Sequence, residues 1–185
     1  FFQHKPYLEK FIQDRNLKLI DVASIHIEPM GIYSKKLTKL ADLQPQSSVV
    51  IPNDPTNGGR ALAILETAGL IKLKEGSGVH GTVRDIVENP KNLKITEIEA
   101  AQLPRSLDDV TLAVINMNYA LEAGLNPGKD ALFLEAKDSP YANILVIRPE
   151  DKERPEIKKL IAALKSPEIK KFIQEKYKGE IIPTF

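Results

Sequence analysis

The sequence predicts an α/β fold with a largely parallel sheet. Short apolar runs rich in β-branched residues, typical of buried strands, alternate along the chain with stretches whose apolar residues recur at helical spacing. The 185 residues are 42% hydrophobic and 28% charged, which is enough to bury a core in one domain or in two small lobes. We therefore expect a folded chain rather than a disordered one.

The first half of the chain is predicted to begin with a helix and then to alternate strands with helices. In order, the predicted elements are the helix YLEKFIQDRN, the strand LKLIDVASIHI, a turn at EPMGIYS, a short helix KKLTKLADL, the strand SVVIP and the long helix GRALAILETAGLI. Pro45 stops the short helix, and Gly69 ends the long one.

The second half continues the alternation after a glycine-containing loop. The predicted elements are a loop with a short helix in KLKEGSGVHGTVRDIVENPKN, the strand LKITEIEA, a helix at LPRSL, the strand VTLAVI, a helix start at NMNYALEAGL, the strand NILVIRP and two tail helices. The tail helices are separated at Ser166-Pro167, and each has apolar residues along one face.

Charge and cysteine content exclude several classes of function. Lysine and arginine total 26 against 25 acidic residues, and the lysines are interleaved with glutamates, so no strong field is expected to attract nucleic acid. The absence of cysteine excludes disulfides, thiolate catalysis and cysteine-ligated zinc. The longest apolar runs, such as ILVI, are far shorter than the roughly 20 residues that span a bilayer.

The stretch NDPTNGGR, Asn53 to Arg60, lies at the predicted junction of a strand and a helix, where open α/β sheets bind ligands. A helix start offers backbone N–H groups, the two glycines would allow close approach, and Arg60 carries donors suited to a carboxylate or phosphate. The stretch lacks the lysine of a nucleotide-binding P-loop, which favours a small carboxylate. The alternative is that Asn53, Asp54 and Asn57 form turns and a helix cap, with Arg60 solvated.

Polar and aromatic residues also occur together in FFQHKPY, NMNYA and DSPYAN, each near a predicted element end. An asparagine amide both donates and accepts hydrogen bonds, as the ammonium and carboxylate of one small molecule require. Aromatic rings provide a flat apolar wall and contact sulfur favourably. Taken singly, Tyr119 and Tyr141 also fit core packing, and His4 fits a helix cap.

The ordered segments FFQHKPYL, HIEPMGIYS, NDPTNGGRAL, INMNYALEAGL and SPYANILVIRPED resemble the NlpA family of bacterial methionine-binding lipoproteins, the substrate-binding components of D/L-methionine ABC importers. The resemblance runs from the first residue to the last. It implies a two-lobed periplasmic substrate-binding protein fold of type II, with the N-terminal part of the first lobe missing. Residues 1–31 and 136–185 would form the first lobe, and residues 32–135 the second.

The resemblance also implies roles for individual residues in capturing methionine between the lobes. Arg60 would pair with the ligand carboxylate, Asn118 and Asn143 would hydrogen-bond the head group, and the side chains lining the thioether pocket would be those of Phe2, His4 and Tyr7. Asn116 and Tyr141 would support the site, whereas His26 and Glu28 are assigned to a crossover and its packing.

The implied protein is a carrier rather than an enzyme, with no cofactor and no metal. Its expected ligand is L-methionine, with D-methionine, another amino acid or a short peptide as alternatives. It would deliver the ligand to an ABC permease with its ATPase, in the bacterial envelope, through a lipid anchor absent from this sequence. An α/β enzyme using His4, His26 or His80 with Asp54 or Glu28 is the rival hypothesis, although GxSxG and HExxH motifs are both lacking.

Overall fold

The computed structural model describes residues 2–136 and 139–185, with side chains from residue 4 onward. Numbered along the chain, the strands are β1 Phe2–His4, β2 Ile20–Ile27, β3 Gly31–Tyr33, β4 Ser48–Pro52, β5 Lys72–Leu73, β6 Ile86–Glu88, β7 Lys94–Ile98, β8 Leu112–Ile115, β9 Ala131–Leu134, β10 Asn143–Ile147 and β11 Ile182–Pro183. The helices are α1 Lys5–Arg15, α2 Pro55–Thr67, α3 Leu103–Ser106, α4 Met117–Glu122, α5 Pro127–Asp130, α6 Pro155–Leu164 and α7 Pro167–Tyr177.

Two compact units divide the chain. The first unit contains Phe1–Pro29 and Ala136–Phe185, and the second contains Met30–Glu135. The first crossover from unit to unit therefore falls after Pro29, two residues before the boundary expected from the sequence. The second crossover falls after Glu135.

The first unit is built on a four-stranded sheet in the order β1-β10-β2-β11, in which neighbouring strands run antiparallel. Alternate residues of β10 face opposite sides. Ile144 and Val146 pack with Leu8 of α1, while Leu145 packs with Ala23 and Ile25 and with partly buried residues of α6. Both faces of the sheet are therefore covered, which explains why ILVI, residues 144–147, is a continuous apolar run.

The second unit contains a mixed five-stranded sheet in the order β7-β4-β8-β3-β9, with β5 and β6 forming a separate pair. Strand β4 runs parallel to β7 and β8, whereas β3 runs antiparallel to β8 and β9. Val49 and Ile51 belong to one apolar cluster and Val50 to another, so this sheet is also buried on both faces. Because β4 and β8 run parallel, their carboxyl ends lie next to each other on the same side of the sheet.

Several predicted elements are confirmed, including β2, β4, β7, β8, β10 and the helices α1, α6 and α7. The expectation of a largely parallel sheet is wrong, because strands from distant chain segments pair antiparallel in the first unit and at β3. The predicted turn at 28–34 contains β3, and the predicted helix at 35–43 is only a 3-10 turn over Leu40–Asp42. β9 was not predicted. Such three- and four-residue strands are too short to show an alternating pattern.

Candidate functional site

Polar side chains of the second unit meet where the parallel strands β4 and β8 end. Asp54 follows β4 and caps α2, accepting hydrogen bonds from the backbone N–H of Asn57 at 3.0 Å and from the hydroxyl of Thr56 at 3.1 Å. Asn116 follows β8 and precedes α4. Its Nδ2 donates to Oδ1 of Asn57 at 3.0 Å. The sheet geometry therefore joins two segments that are 59 residues apart in sequence.

This chain of hydrogen bonds fixes the direction of each amide. Nδ2 of Asn57 lies 3.1 and 3.0 Å from the two carboxylate oxygens of Asp54, which can only accept, so Oδ1 of Asn57 must face Asn116. Asn116 in turn must present its Nδ2 to Asn57. Its own Oδ1 is buried and has no hydrogen-bond partner among the described residues. A buried acceptor of this kind is uncommon and suits an N–H donor of a ligand.

Arg60 lies on α2 and pairs with a carboxylate of its own unit. Its Nε donates to Glu135 Oε1 and Oε2 at 3.0 and 3.1 Å, and its Nη2 also donates to Oε2. Arg60 is 4% exposed, and the side chain of Glu135 is 10% exposed. The guanidinium group has five N–H donors, and Glu135 accepts from the Nε–H and from Nη2.

Glu135 also binds the first residue of the second unit. Its carboxylate accepts the backbone N–H of Met30 at 3.1 Å, and its backbone N–H donates to the carbonyl of Met30 at 2.9 Å. Because Met30 and Glu135 are the first and last residues of the unit, Arg60 is bound where both crossovers attach. The carboxylate that holds the guanidinium is therefore itself anchored to the backbone of Met30.

The helix-cap interpretation of NDPTNGGR is confirmed for Asp54, but a solvated Arg60 is wrong, because that side chain is buried. The helix begins at Pro55 rather than at the glycines, since Asp54 supplies the cap and proline suits the first helical turn. The N–H of Gly58 donates to the Asp54 carbonyl at 2.8 Å, so it belongs to the helix and is not available to an anion.

The glycines have a packing role, and the expectation that they clear the backbone for a ligand is wrong. A Cβ at Gly59 would lie 2.5 Å from the carbonyl oxygen of Val79 and 3.1 Å from that of Gly81. A Cβ at Gly58 would lie 3.0 Å from the carbonyl oxygen of Pro52. The glycines therefore let α2 approach the backbone of its own unit.

The second unit also contains Asn118, which is exposed on α4. Two residues in the network described above were not predicted as site residues. Asn57 had been interpreted only as a turn residue, although its position three after the helix cap could have indicated a side chain near the strand end. Glu135 had no local signal, since its partner Arg60 is 75 residues away in sequence.

In the first unit, the predicted aromatic residues lie together. His4 is 5% exposed and caps α1, its Nδ1 accepting the N–H of Tyr7 at 3.3 Å. The His4 ring contacts Tyr7 and Tyr141 edge to face, with centroids 6.0 and 5.4 Å apart, and Tyr7 stacks on Phe11. The backbone of Phe2 belongs to β1, but its side chain lies outside the described part of the structure.

Asn143 lies in the middle of a row that crosses three strands of the first unit. It is the register partner of His4 on β1 and of His26 on β2. Its Nδ2 is 3.3 Å from Nε2 of His26, and that same nitrogen is 2.8 Å from Oε1 of Glu28. The resemblance assigns His26 and Glu28 to a crossover and its packing, and in the structure His26 also contacts Asn143, a predicted ligand residue.

Of the residues named for an enzyme, His26 and Glu28 are in contact with each other. His4 caps α1, exposed His80 belongs to the second unit, and Asp54 caps α2. Across residues 2–136 and 139–185, no three His, Cys, Asp or Glu side chains cluster as metal ligands. In the same residues, no helix is both long and apolar enough to cross a membrane.

The sequence profile described as NlpA lipoprotein matches residues 1–185. The chain belongs to the NlpA lipoprotein family. NlpA relatives include the D-methionine-binding lipoprotein MetQ of Yersinia pestis, 54% identical over 91% of this chain and 63% of that protein. MetQ of Escherichia coli K12 is 51% identical over 96% of this chain and 66% of that protein. The chain thus spans slightly less than two thirds of these relatives.

Solved structures with the NlpA fold show the same architecture. A nutrient-binding protein of Burkholderia cenocepacia bound to methionine superposes with a TM-score of 0.94 at 50% identity, covering 99% of this chain and 77% of that one. The methionine-binding protein MetQ gives a TM-score of 0.91 at 49% identity, covering 99% and 76%. The predicted substrate-binding protein fold is therefore confirmed.

Proposed function

We propose that this chain is the substrate-binding component of an ABC importer, which captures methionine and delivers it to a membrane permease with its ATPase. Membership of the NlpA family and the methionine-bound relative support the ligand class. The single structural observation that favours it most is the buried, directed Oδ1 acceptor of Asn116, next to the helix that carries Arg60.

The chemistry of an amino acid explains this choice of groups. A zwitterion leaves water only when both of its charged ends find partners. Arg60 offers donors to the carboxylate while Glu135 holds it in place, and Asn116 offers an acceptor to the ammonium. Asn118 and Asn143 supply further hydrogen bonds to the head group, as donors or as acceptors.

The thioether end would be bound by the aromatic residues of the first unit. His4 and Tyr7 would line this part of the site, and Tyr141 contacts the His4 ring edge to face. The assignment of Phe2 to the same pocket remains a prediction from the sequence, because its side chain lies outside the described part of the structure. Sulfur contacts with aromatic rings are favourable, and they suit a side chain without charge or hydrogen-bond donors. Because one methylene changes binding by only about 1–3 kcal/mol, amino acids of similar shape should bind more weakly rather than not at all.

This function requires binding and release, without a chemical step. The groups named above as ligand contacts are hydrogen-bond donors, hydrogen-bond acceptors and apolar walls, none of which is assigned a chemical step. We further propose that the protein works in the bacterial envelope as a lipoprotein, as the names of its relatives indicate. L-methionine is the proposed physiological ligand, with D-methionine as a second one.

The test is to measure ligand directly and then to remove Arg60. Denaturing the purified protein should release bound methionine, which mass spectrometry would detect. Calorimetry on the ligand-stripped protein should then show that L-methionine binds. Arg60→Ala should weaken this binding by about 2–5 kcal/mol, because one partner of a buried charge pair is lost. Wild-type affinity in Arg60→Ala would exclude Arg60 from the site, and conversion of methionine to a product would refute the carrier function.

Because Arg60 also binds Glu135, the Ala variant needs a check on folding. Arg60→Lys keeps the charge but removes the planar fork, and it should also weaken methionine binding if bidentate contact matters. Circular dichroism of both variants separates lost binding from lost structure. Folded variants that bind methionine as tightly as the wild type would contradict the proposed role.

A further inference from the structure

The ring nitrogen Nε2 of His26 has two neighbours that make opposite demands on it. Oε1 of Glu28 lies 2.8 Å away, and Nδ2 of Asn143 lies 3.3 Å away. An imidazole nitrogen either carries a proton and donates, or carries a lone pair and accepts. A carboxylate can only accept, so the contact with Glu28 needs a proton on Nε2, whereas accepting from an amide NH2 needs a lone pair.

The charge of Glu28 decides between these demands. Glutamate side chains are normally ionised at neutral pH, and the side chain of Glu28 is 30% exposed. Nε2 of His26 therefore carries the proton and donates it to Glu28, in the neutral ring as well as in the imidazolium. The 2.8 Å separation is short enough for a charge-assisted hydrogen bond.

The carboxamide of Asn143 must then turn by half a rotation about its last bond. The two ends of an amide have nearly the same shape, so the hydrogen-bond network decides which end faces which neighbour. With N–H already on His26, the oxygen Oδ1 of Asn143 faces the ring as an additional acceptor. The NH2 group then points away from His26.

The surroundings of the ring keep this arrangement in place. Glu28 lies two residues beyond His26, in the segment that directly follows β2, and its carboxylate contacts the ring. The neighbouring strands face His26 with Asn143 from β10 and Pro183 from β11, neither of which can ionise. His26 is thus held between two strands, with 16% of its side chain exposed.

We infer that His26 and Glu28 are positioning residues that turn the NH2 group of Asn143 toward the bound amino acid, where it donates to the ligand carboxylate. The identity of the ligand in this inference rests on the proposed methionine-binding function. The direction of the Asn143 amide does not depend on that function. This direction gives Asn143 the role of a hydrogen-bond donor to the ligand carboxylate.

The experiment compares the wild type with Glu28→Gln, which keeps the shape of the side chain but no longer requires a proton on Nε2. Long-range proton–nitrogen NMR spectra report which ring nitrogen of His26 is protonated at pH 8. We expect the Nε2–H form in the wild type and a mixture in Glu28→Gln. Glu9→Gln, an exposed position on α1 of the same unit, is the matched control and should behave as the wild type.

Calorimetry with L-methionine is the second readout. At pH 8, Glu28→Gln should bind about 3- to 10-fold more weakly, which corresponds to the loss of about one hydrogen bond. A merely structural role of Glu28 would weaken binding without changing the ring tautomer that the NMR spectra report.

The outcomes separate this inference from the proposed function. A wild-type ring protonated on Nδ1 alone at pH 8, or a Glu28→Gln affinity equal to that of the wild type, overturns the inference while methionine binding stands. If the wild type binds no methionine, the proposed function fails. In that case the His26 tautomer and the NMR contacts of the Asn143 NH2 group still decide the amide direction.

Discussion

Replacing Glu135 by alanine should destabilise the second unit strongly. The substitution removes the carboxylate that accepts from Nε and Nη2 of Arg60 and from the backbone N–H of Met30. Arg60 would remain 4% exposed with its charge uncompensated by this partner. Breaking a buried pair by removing one partner typically costs about 3–5 kcal/mol, so we expect a loss of that size in the free energy of unfolding.

The magnitude depends on burial, which allows an internal control. Lys72 and Glu88 form an ion pair at 3.1 Å in the same unit, but their side chains are 62% and 63% exposed. Exposed pairs contribute about 0–1 kcal/mol, so Glu88→Ala should change stability several-fold less than Glu135→Ala. The comparison holds the substitution and the unit constant, and it contrasts a buried pair that also binds the Met30 backbone with an exposed pair.

Urea unfolding followed by circular dichroism measures both variants, with a fluorescent-dye melt as an independent check. Glu135→Gln is the intermediate variant, because it keeps an acceptor for Arg60 and Met30 but removes the charge, and it should lie between the wild type and Glu135→Ala. A cost of Glu135→Ala no greater than that of Glu88→Ala would refute the reasoning. It would mean that water or other groups compensate Arg60 fully.

Three further predictions follow from the same unit. Gly59→Ala should lower the free energy of unfolding by about 1–3 kcal/mol, despite the better helix propensity of alanine, because the new Cβ would meet the Val79 carbonyl at 2.5 Å. Asn116→Ala should weaken methionine binding by about 1–3 kcal/mol in calorimetry, because the ligand ammonium loses its acceptor. The Thr82 hydroxyl donates to Asp85 at 2.7 Å, and this hydrogen bond lowers the pKa of the Asp85 carboxyl. Ionised Asp85 therefore stabilises the fold at pH values above the pKa of an unfolded aspartate. This contribution is lost as the pH falls through the lowered pKa of the folded state.

Each of these predictions has its own control. Gly81→Ala should be tolerated, because its Cβ would have no neighbour nearer than 3.5 Å. Asn126→Ala removes an amide that does not cap its helix, and it should leave methionine affinity unchanged. Asp85→Asn should remove its share of the acid-dependent loss of stability in urea titrations between about pH 5 and 2, and an unaltered pH profile would contradict the assigned hydrogen bond.

The sequence alone determined the α/β class, most of the longer elements and the family. Strands such as SVVIP and NILVI were recognisable because both of their faces are buried, which makes the residues after the first one apolar. The Asp54 helix cap was recognisable because capping acts over three residues and needs no distant partner. The sequence indicated that Gly58 and Gly59 are required at this junction. It did not indicate the reason, which is the close approach of α2 to the backbone of its own unit.

Only the tertiary structure decided which groups bind one another. Arg60 was expected to be available to a ligand carboxylate or solvated, and it is bound to Glu135, which lies 75 residues away. Asn57 and Asn116 meet because β4 and β8 run parallel and end at one edge, and His26 meets Asn143 because β2 and β10 pair antiparallel. Strand pairing across long loops depends on burial summed over the whole unit, so a local pattern in the sequence cannot encode these contacts.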